Sequence, residues 1–368
     1  MKITNIRLER YKLELEPPFH AAWDPVPRRE FDATLVFVET DAGITGIGSG
    51  DSMDGFAGHE HLFIGKDPRA IEQHVRTIET INFHSGRFWP LEVALWDIIG
   101  KAADQPVAQL FGGAAQQIPA YASTGSLQSP AERVDSALAI AERGFRAIKI
   151  RIDRNDISSG IAAVSAVREA VGDRLDIMVD LNQSWRMAGD IQQPLEYVEV
   201  RRIIERLREL DVFWVEEPLP YADAVGLRRL REETGVRIAA GEMHPSAPEL
   251  LTYLEDDVLD VYQMDVVLAV GMARARTLAE VAHLKNRKFT PHSWTNGIGV
   301  LANLHVALGV GAGPYFEFPF DPPQWTPERR DFMLTEPVDI DSHGNLHLPQ
   351  APGLGIELDY EALERWKI

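Results

Sequence analysis

At 368 residues, with 45% hydrophobic and 25% charged residues, the chain has a globular composition that argues against disorder. The formal charge of -19 argues against nucleic acid or an anionic membrane surface as a partner, because both require a basic surface. The chain has no cysteine, which excludes disulfides, thiolate nucleophiles and cysteine-based zinc sites.

The first 117 residues predict an α+β module. ITNIRLERYKLEL alternates polar and apolar residues as a strand does, and ATLVFVETDAGITGIGSG reads as a hairpin with a glycine-containing turn. From about residue 67 to 113 the pattern becomes helical and stops at a glycine pair. The N-terminus lacks the apolar core of a signal peptide, and no apolar run approaches 18 residues. We therefore expect a cytoplasmic protein without a membrane span.

Residues 118–319 predict a parallel barrel. Eight strand-like runs alternate with seven helical segments, from IPAYAST to PYFEF. Each repeat has the size of a βα unit, and eight such units close a barrel. A doubly wound open sheet is the alternative, but polar residues recur at strand ends, and the active sites of barrels lie on that face. Residues 320–368 are rich in proline and glycine, and we expect them to pack back on the N-terminal module.

Six ionisable residues close successive strand-like runs and predict one shared site. Asp180 ends DIMVD, Glu216 ends VFWVE and Glu242 follows RIAAG. Asp265, His292 and Glu317 follow at the ends of the later runs. Unpartnered buried carboxylates are costly, and three that converge on one point suit a hard divalent cation such as Mg²⁺.

Two of the strands carry polar residues at positions i and i+2, which share one face of a strand. The pairs are Lys149 with Arg151 and Asp180 with Asn182. Inside a barrel both pairs would point inward near the mouth, where a buried lysine or arginine needs an anionic partner. A metal-bound carboxylate substrate would be such a partner.

Asp265 and His292 end neighbouring strands and read as a general acid–base pair. A carboxylate that holds one imidazole nitrogen fixes the tautomer and raises the basicity of the other nitrogen. Glu317, from the last strand, would sit near this pair, and an apolar site could keep it protonated. The combined chemistry is removal of a proton α to a carboxylate, with the resulting charge stabilised by Mg²⁺, Lys149 and Glu317.

Each residue taken alone has an ordinary structural explanation. A strand-terminal aspartate is often a helix N-cap, Lys149 and Arg151 could flank a solvated edge, and a lone His292 could be structural. Glu217 and Pro218 read as a turn and its support. The order of the six residues and their common position at strand ends favour the shared site over these separate explanations.

These motifs resemble the mandelate racemase subgroup of the enolase superfamily over nearly the whole chain. ALWDIIGKAADQPVAQLFGG resembles the end of that family's capping domain, AIKIRI its K-x-K strand, and VDLNQSW, WVEEP and GEM its three metal strands. The resemblance implies a modified (β/α)₇β TIM-type barrel with a capping domain built from both termini. It also implies that Asp180, Glu216 and Glu242 bind Mg²⁺, that Asp265–His292 is the base dyad and that Glu317 is the electrophile.

The sequence departs from the subgroup at Arg151, where a second lysine commonly serves as a base. Arginine stays protonated, so it is a poor base and a good carboxylate clamp. This favours chemistry that His292 performs alone, namely dehydration of a polyhydroxy sugar acid to a 2-keto-3-deoxy acid. Cycloisomerisation of a sugar-acid lactone is the second candidate, and racemisation or epimerisation the third. A catalytically inert sugar-acid binding protein is the alternative from another class.

Loops of the N-terminal module predict where the substrate is recognised. We expect His20, Trp23 and Arg28, and the segment 51–59, to close the barrel mouth, with His20 and Trp23 joining Arg151 and Asn182 in binding the substrate. The expected partner is a small-molecule carboxylate, with no nucleic acid and no membrane. The resemblance also implies a homo-oligomer.

Overall fold

The computed structural model describes residues 1–368, and its N-terminal part is a three-stranded antiparallel sheet with helices packed on it. The strands are β1 (Ile3–Phe19), β2 (Arg28–Thr40) and β3 (Thr45–Gly48), and the helices are α1 (Ile71–Asn82), α2 (Trp89–Ala103) and α3 (Val107–Leu110). In β1 the buried Tyr11 and Leu13 alternate with more exposed residues, which explains its alternating sequence. At Gly46 an added Cβ would lie 2.0 Å from the Ala94 carbonyl oxygen, so this glycine lets α2 pack directly on β3.

The middle of the chain alternates eight strands with seven helices, as the sequence predicted. The strands are β4 (Gln117–Ser123), β5 (Ala147–Arg151), β6 (Asp176–Asp180), β7 (Trp214–Glu216), β8 (Ile238–Ala240), β9 (Val261–Tyr262), β10 (Lys288–Phe289) and β11 (Phe316–Pro319). The helices between them are α4 (Pro130–Glu142), α5 (Ile157–Val171), α6 (Tyr197–Glu209), α7 (Ala224–Thr234), α8 (Ala247–Glu255), α9 (Gly271–Leu284) and α10 (Gly297–Val310).

These eight strands form a modified (β/α)₇β barrel of the TIM type. They are parallel, and β11 pairs with β4, so the last strand lies beside the first. Between β10 and β11 the backbone N–H of Gly313 donates to the Phe289 carbonyl at 3.1 Å. The Thr290 hydroxyl adds a bond of 3.1 Å to the Tyr315 carbonyl. The largest hydrophobic cluster lies between the strands and the surrounding helices.

The C-terminal segment returns to the cap along the outside of the barrel. Its elements are α11 (Pro327–Arg330), β12 (Asn345–His347) and α12 (Tyr360–Trp366). Strand β12 pairs antiparallel with the start of β4. Beyond it, the backbone N–H of Ile368 donates to the Arg10 carbonyl on β1 at 3.0 Å. The capping domain therefore contains both termini.

The boundaries that we placed after residues 117 and 319 stay predictions. None of the helices combines the length and the apolar character that crossing a membrane requires.

Candidate active site

The polar residues that end the barrel strands meet at the C-terminal mouth of the barrel. In the ladder Arg151 is the register partner of Asp180, and Asp180 is the partner of Glu216, so these side chains lie side by side. Asn182 is partly exposed, and the other eight predicted site residues of the barrel interior are buried: Lys149, Arg151, Asp180, Glu216, Glu242, Asp265, His292 and Glu317. Burial of so many ionisable groups is rare unless they are paired or bind a ligand.

Asp180, Glu216 and Glu242 form a compact carboxylate cluster, in which one oxygen atom of each lies within 4.8 Å of the others. Burial raises the pKa of Glu216 and of Glu242. The Oε2 atom of Glu242 is buried and has no hydrogen-bond partner. Crowded buried carboxylates with a free oxygen are what a hard divalent cation requires, so these three residues fit Mg²⁺.

Lys149 and Arg151 supply the positive charge beside this cluster. Lys149 Nζ pairs with Glu216 and lies 2.6 Å from Glu317 Oε1. Arg151 Nη1 pairs with Asp180, and its Nε donates to the Thr124 carbonyl at 3.0 Å. The hydrogen bonds of Arg151 within the protein are made by Nε and Nη1, and none is made by Nη2. Arg151 therefore orients a candidate metal ligand and keeps one nitrogen available for a bound anion.

Asp265 and His292 are hydrogen-bonded as predicted. His292 Nδ1 lies 2.8 Å from Asp265 Oδ2, and the other oxygen of Asp265 accepts bonds from Val267 N–H at 2.8 Å and Asn303 Nδ2 at 3.1 Å. A carboxylate held in this way fixes its imidazole with the proton on Nδ1, which leaves Nε2 for acid–base chemistry.

The free nitrogen of His292 points towards two carboxylates. Nε2 lies 3.8 Å from Glu242 Oε2 and 3.9 Å from Glu317 Oε2. Burial alone would lower the pKa of His292, but Glu242, Glu317 and the hydrogen bond to Asp265 raise it to about 9. A cation bound by Glu242 would offset the effect of that carboxylate and move the pKa of His292 back towards neutrality.

Glu317 is held by several donors at once. Its Oε1 accepts a bond from Ser123 Oγ at 2.8 Å, and its Oε2 accepts one from the Ser293 N–H at 2.7 Å. Burial alone would raise the pKa of Glu317, but the positive charges of Lys149, His292 and Arg151 lower it to about 2. The direct pairing with Lys149 favours the ionised form of Glu317, and the protonated state that the sequence suggested stays a prediction.

A cavity of about 210 Å³, here called the inner cavity, opens onto these residues. Arg151, Glu242 and His292 line it from the barrel, and Trp23 lines it from the cap. The Arg151 guanidinium carbon lies 4.6 Å from the centre of the Trp23 ring. The Ala22 N–H beside this tryptophan donates to the Gly125 carbonyl at 2.8 Å, which ties the loop to the barrel. Trp23 therefore covers the candidate site.

Asn182 and His20 lie further out, in a cleft of about 590 Å³. Asn182 Oδ1 accepts a bond from Arg151 Nη1 at 3.2 Å, while its buried Nδ2 has no partner. His20 is exposed and does not line the inner cavity. A substrate-binding role for either residue stays a prediction.

Two supporting groups were missed from the sequence. Trp185 Nε1 donates to Glu242 Oε1 at 2.9 Å. Glu217, which we read as part of a turn, is buried with φ of +46°, and the Tyr221 hydroxyl donates to its Oε1 at 2.7 Å. The same Tyr221 hydroxyl accepts a bond from the Met243 N–H at 3.0 Å, next to Glu242. In the sequence, the signals for these groups are the tryptophan that ends VDLNQSW and the two glutamates of WVEEP.

Two family models together match most of the chain. Residues 3–112 match the mandelate racemase/muconate lactonizing enzyme N-terminal domain, and residues 132–363 match the enolase C-terminal domain-like family.

Characterised relatives and solved structures agree with this assignment. D-galactarolactone cycloisomerase of Agrobacterium fabrum is 27% identical over 100% of this chain and 99% of its own length. Arabinonate dehydratase of Saccharolobus solfataricus is 30% identical over 75% of this chain and 71% of its own length. A racemase from Streptomyces coelicolor, solved with bound magnesium, has a TM-score of 0.84 at 26% identity, with full coverage of both chains. The chain therefore belongs to the mandelate racemase/muconate lactonizing enzyme group of the enolase superfamily.

Proposed function

We propose that this enzyme dehydrates a polyhydroxy sugar acid to a 2-keto-3-deoxy acid in a Mg²⁺-dependent reaction. The observation that carries the proposal is the asymmetry of the site. Of the residues that line the inner cavity, His292 forms an acid–base pair with Asp265 and keeps its Nε2 free. Arg151 lines the same cavity, but it is bonded to Asp180 and cannot act as a base.

The carboxylates of Asp180, Glu216 and Glu242 would hold the cation. When bound, Mg²⁺ stabilises the negative charge that develops on the substrate carboxylate. The fit rests on the compact cluster and on the free Oε2 of Glu242. The Streptomyces coelicolor racemase with bound magnesium supports the choice of metal.

The remaining steps fall to residues of this chain. Nε2 of His292 takes the proton from the α-carbon while Asp265 holds Nδ1–H, and Lys149 places positive charge beside the developing enolate. His292 then returns that proton to the hydroxyl on the β-carbon, which leaves as water. The enol that remains rearranges to the 2-keto-3-deoxy acid. A single base is enough for this sequence, because the nitrogen that removes the α-proton can also protonate the departing hydroxyl.

Cycloisomerisation of a sugar-acid lactone is the second candidate. It uses the same enolate and the same base, and two of the relatives are named as cycloisomerases of galactarolactone and of 3,6-anhydro-galactonate. Relatives named as arabinonate, xylonate and gluconate dehydratases favour the first candidate.

The test is a panel of sugar acids and their lactones in D₂O with Mg²⁺, followed by NMR and by capture of carbonyl products. Dehydration yields a carbonyl adduct and α-deuterium exchange that depends on His292. Lactone isomerisation without loss of water would select the second candidate. Deuterium in both α-epimers with no carbonyl product would identify a racemase or epimerase and reject the dehydratase. Binding of acids with neither exchange nor a carbonyl product would identify an inert binding protein.

A further inference from the structure

The capping domain lines the inner cavity with an ion pair that the proposed mechanism does not use. Asp51 follows β3, and Arg87 precedes α2. Arg87 Nε lies 3.0 Å from Asp51 Oδ2, and the two side chains are 36% and 18% exposed. Arg87 Nη1 also donates to the Leu268 carbonyl at 3.2 Å, which ties it to the barrel loop after β9. Both residues line the same cavity as Arg151 and His292.

The position of Asp51 is fixed by the residue before it. Gly50 has φ of +126°, and a Cβ there would lie 2.6 Å from Val267 Cγ2, so only glycine lets this loop lie against the barrel. The Ser52 N–H donates to Asp51 Oδ1 at 2.8 Å. The carboxylate is therefore held in place before a ligand arrives, which lowers the entropy cost of recognising one.

Charge in this part of the cavity is balanced. Arg87 is paired with Asp51, and Arg28, the other arginine of the capping side, has its Nε 2.5 Å from Asp24 Oδ2. The contacts of these two arginines within the protein are made by Nε and Nη1, and none is made by Nη2. Asp24 itself lies outside the cavity lining, so the capping side offers both donors and acceptors, with each arginine neutralised by its own aspartate.

This balance discriminates between a charged and a neutral tail of a sugar acid. A second carboxylate beside this pair would lie close to the Asp51 carboxylate and compete with it for Arg87, and two like charges held close together disfavour each other. A hydroxyl group both donates and accepts, so it can donate to Asp51 and accept from Arg87. We propose that Asp51 and Arg87 select a neutral polyhydroxyl tail, so that the substrate is an aldonic acid, with one carboxylate, rather than an aldaric acid, with two. This inference rests on the proposed function.

The test compares matched acids and charge variants of the Mg²⁺-loaded enzyme. α-Proton exchange in D₂O is measured for the stereoisomers of five- and six-carbon aldonic and aldaric acids. For the native enzyme the best aldonic acid should exceed the best aldaric acid in kcat/KM by at least about tenfold. Asp51→Asn leaves Arg87 unpaired and should move this ratio at least about tenfold towards aldaric acids. Arg87→Gln leaves Asp51 unpaired and should lower exchange of aldaric acids more than that of aldonic acids.

Arg274→Gln is the matched control. Arg274 pairs with Glu72 and Glu79 and so also joins the cap to the barrel, but it lies outside the inner cavity. The ratio of kcat/KM for aldonic over aldaric acids in Arg274→Gln should equal that of the native enzyme. Thermal melting checks that every variant folds.

The test distinguishes failure of the tail selection from failure of the proposed function. A native preference for aldaric acids, or an unchanged ratio in Asp51→Asn, overturns the tail selection and leaves the proposed function standing. Neither exchange nor a carbonyl product with any acid of either class overturns the proposed function, and the tail selection with it.

Discussion

The indole N–H of Trp185 donates a hydrogen bond to Glu242 Oε1 across 2.9 Å, although 57 positions separate the two residues in the chain. A donor behind a metal-binding carboxylate orients it, and loss of such a donor typically lowers metal affinity about 10- to 100-fold. Trp185→Phe should weaken Mg²⁺ binding within this range, as measured by calorimetric titration. Trp366→Phe, which removes an indole on α12 far from the cluster, should bind Mg²⁺ as the native protein does. Equal affinities in the two variants would contradict the role of Trp185.

The carboxylate cluster predicts how the metal affects stability. A ligand that binds only the folded state at a hundredfold excess over its Kd stabilises by about 2.7 kcal/mol. Mg²⁺ should therefore raise the Tm of the native protein, and this increase should vanish in Asp180→Asn, Glu216→Gln and Glu242→Gln. Glu249→Gln, at an exposed site on α8, should keep it. An undiminished increase in all three cluster variants would rule out this metal site.

The His292–Asp265 pair predicts a graded loss of exchange. His292→Asn removes the base and should reduce α-proton exchange to background, since a positioned general base contributes about 10²- to 10⁴-fold. Asp265→Asn keeps a hydrogen bond but lowers the basicity of Nε2, so exchange should fall to an intermediate rate. The measurement is deuterium incorporation followed by NMR. Full exchange in His292→Asn would move the base to Lys149.

Arg151 should affect binding more than proton transfer. Arg151→Lys retains a charge but loses the planar fork that reaches both Asp180 and a bound anion, so KM should rise more than kcat falls. Arg151→Met should raise KM further, and its Mg²⁺ affinity should also change because Asp180 loses a partner. The exchange that remains should still require His292, which the double variant with His292→Asn checks. A fall in kcat alone would assign Arg151 to the chemical step.

His305 predicts acid sensitivity of the fold. Burial lowers its pKa to about 4, and the ring accepts a bond from the Ala108 N–H at 3.1 Å and contacts the Leu354 carbonyl at 3.2 Å. In the unfolded chain the pKa is about 6.5, so the unfolded state binds the proton more tightly. About 3 kcal/mol of stability is fully present above pH 6.5 and is lost as the pH falls towards 4.

Urea unfolding near pH 7 and near pH 5 measures this effect. His305→Gln should reduce the difference between the two pH values, whereas His343→Gln, at an exposed position, should leave it unchanged. An identical pH dependence in His305→Gln would contradict the assignment.

The sequence predicted the barrel and its central cluster because each key residue lies in a barrel strand or shortly after its end. In parallel strands the ends meet at one face, so the periodicity alone placed Asp180 beside Glu216 and Asp265 beside His292. The residue types then limited the chemistry.

The supporting contacts could not be predicted in the same way. Arg87, Trp185 and Tyr221 lie in loops, and their positions depend on how the cap and the barrel pack together. The charge state of Glu317 depends on its 2.6 Å approach to Lys149, a distance between two strands that no pattern along the chain encodes. His20 and Trp23 belong to one loop, yet only Trp23 turns towards the inner cavity.

The ring of Trp23 over Arg151 places part of the capping domain against the inner cavity. The loop that carries this ring is held to the barrel by the bond from the Ala22 N–H to the Gly125 carbonyl. In many enzymes the movement of a loop that covers the site sets the turnover rate, because product release waits for it. Substitutions in this loop can therefore change kcat without touching the residues that break bonds.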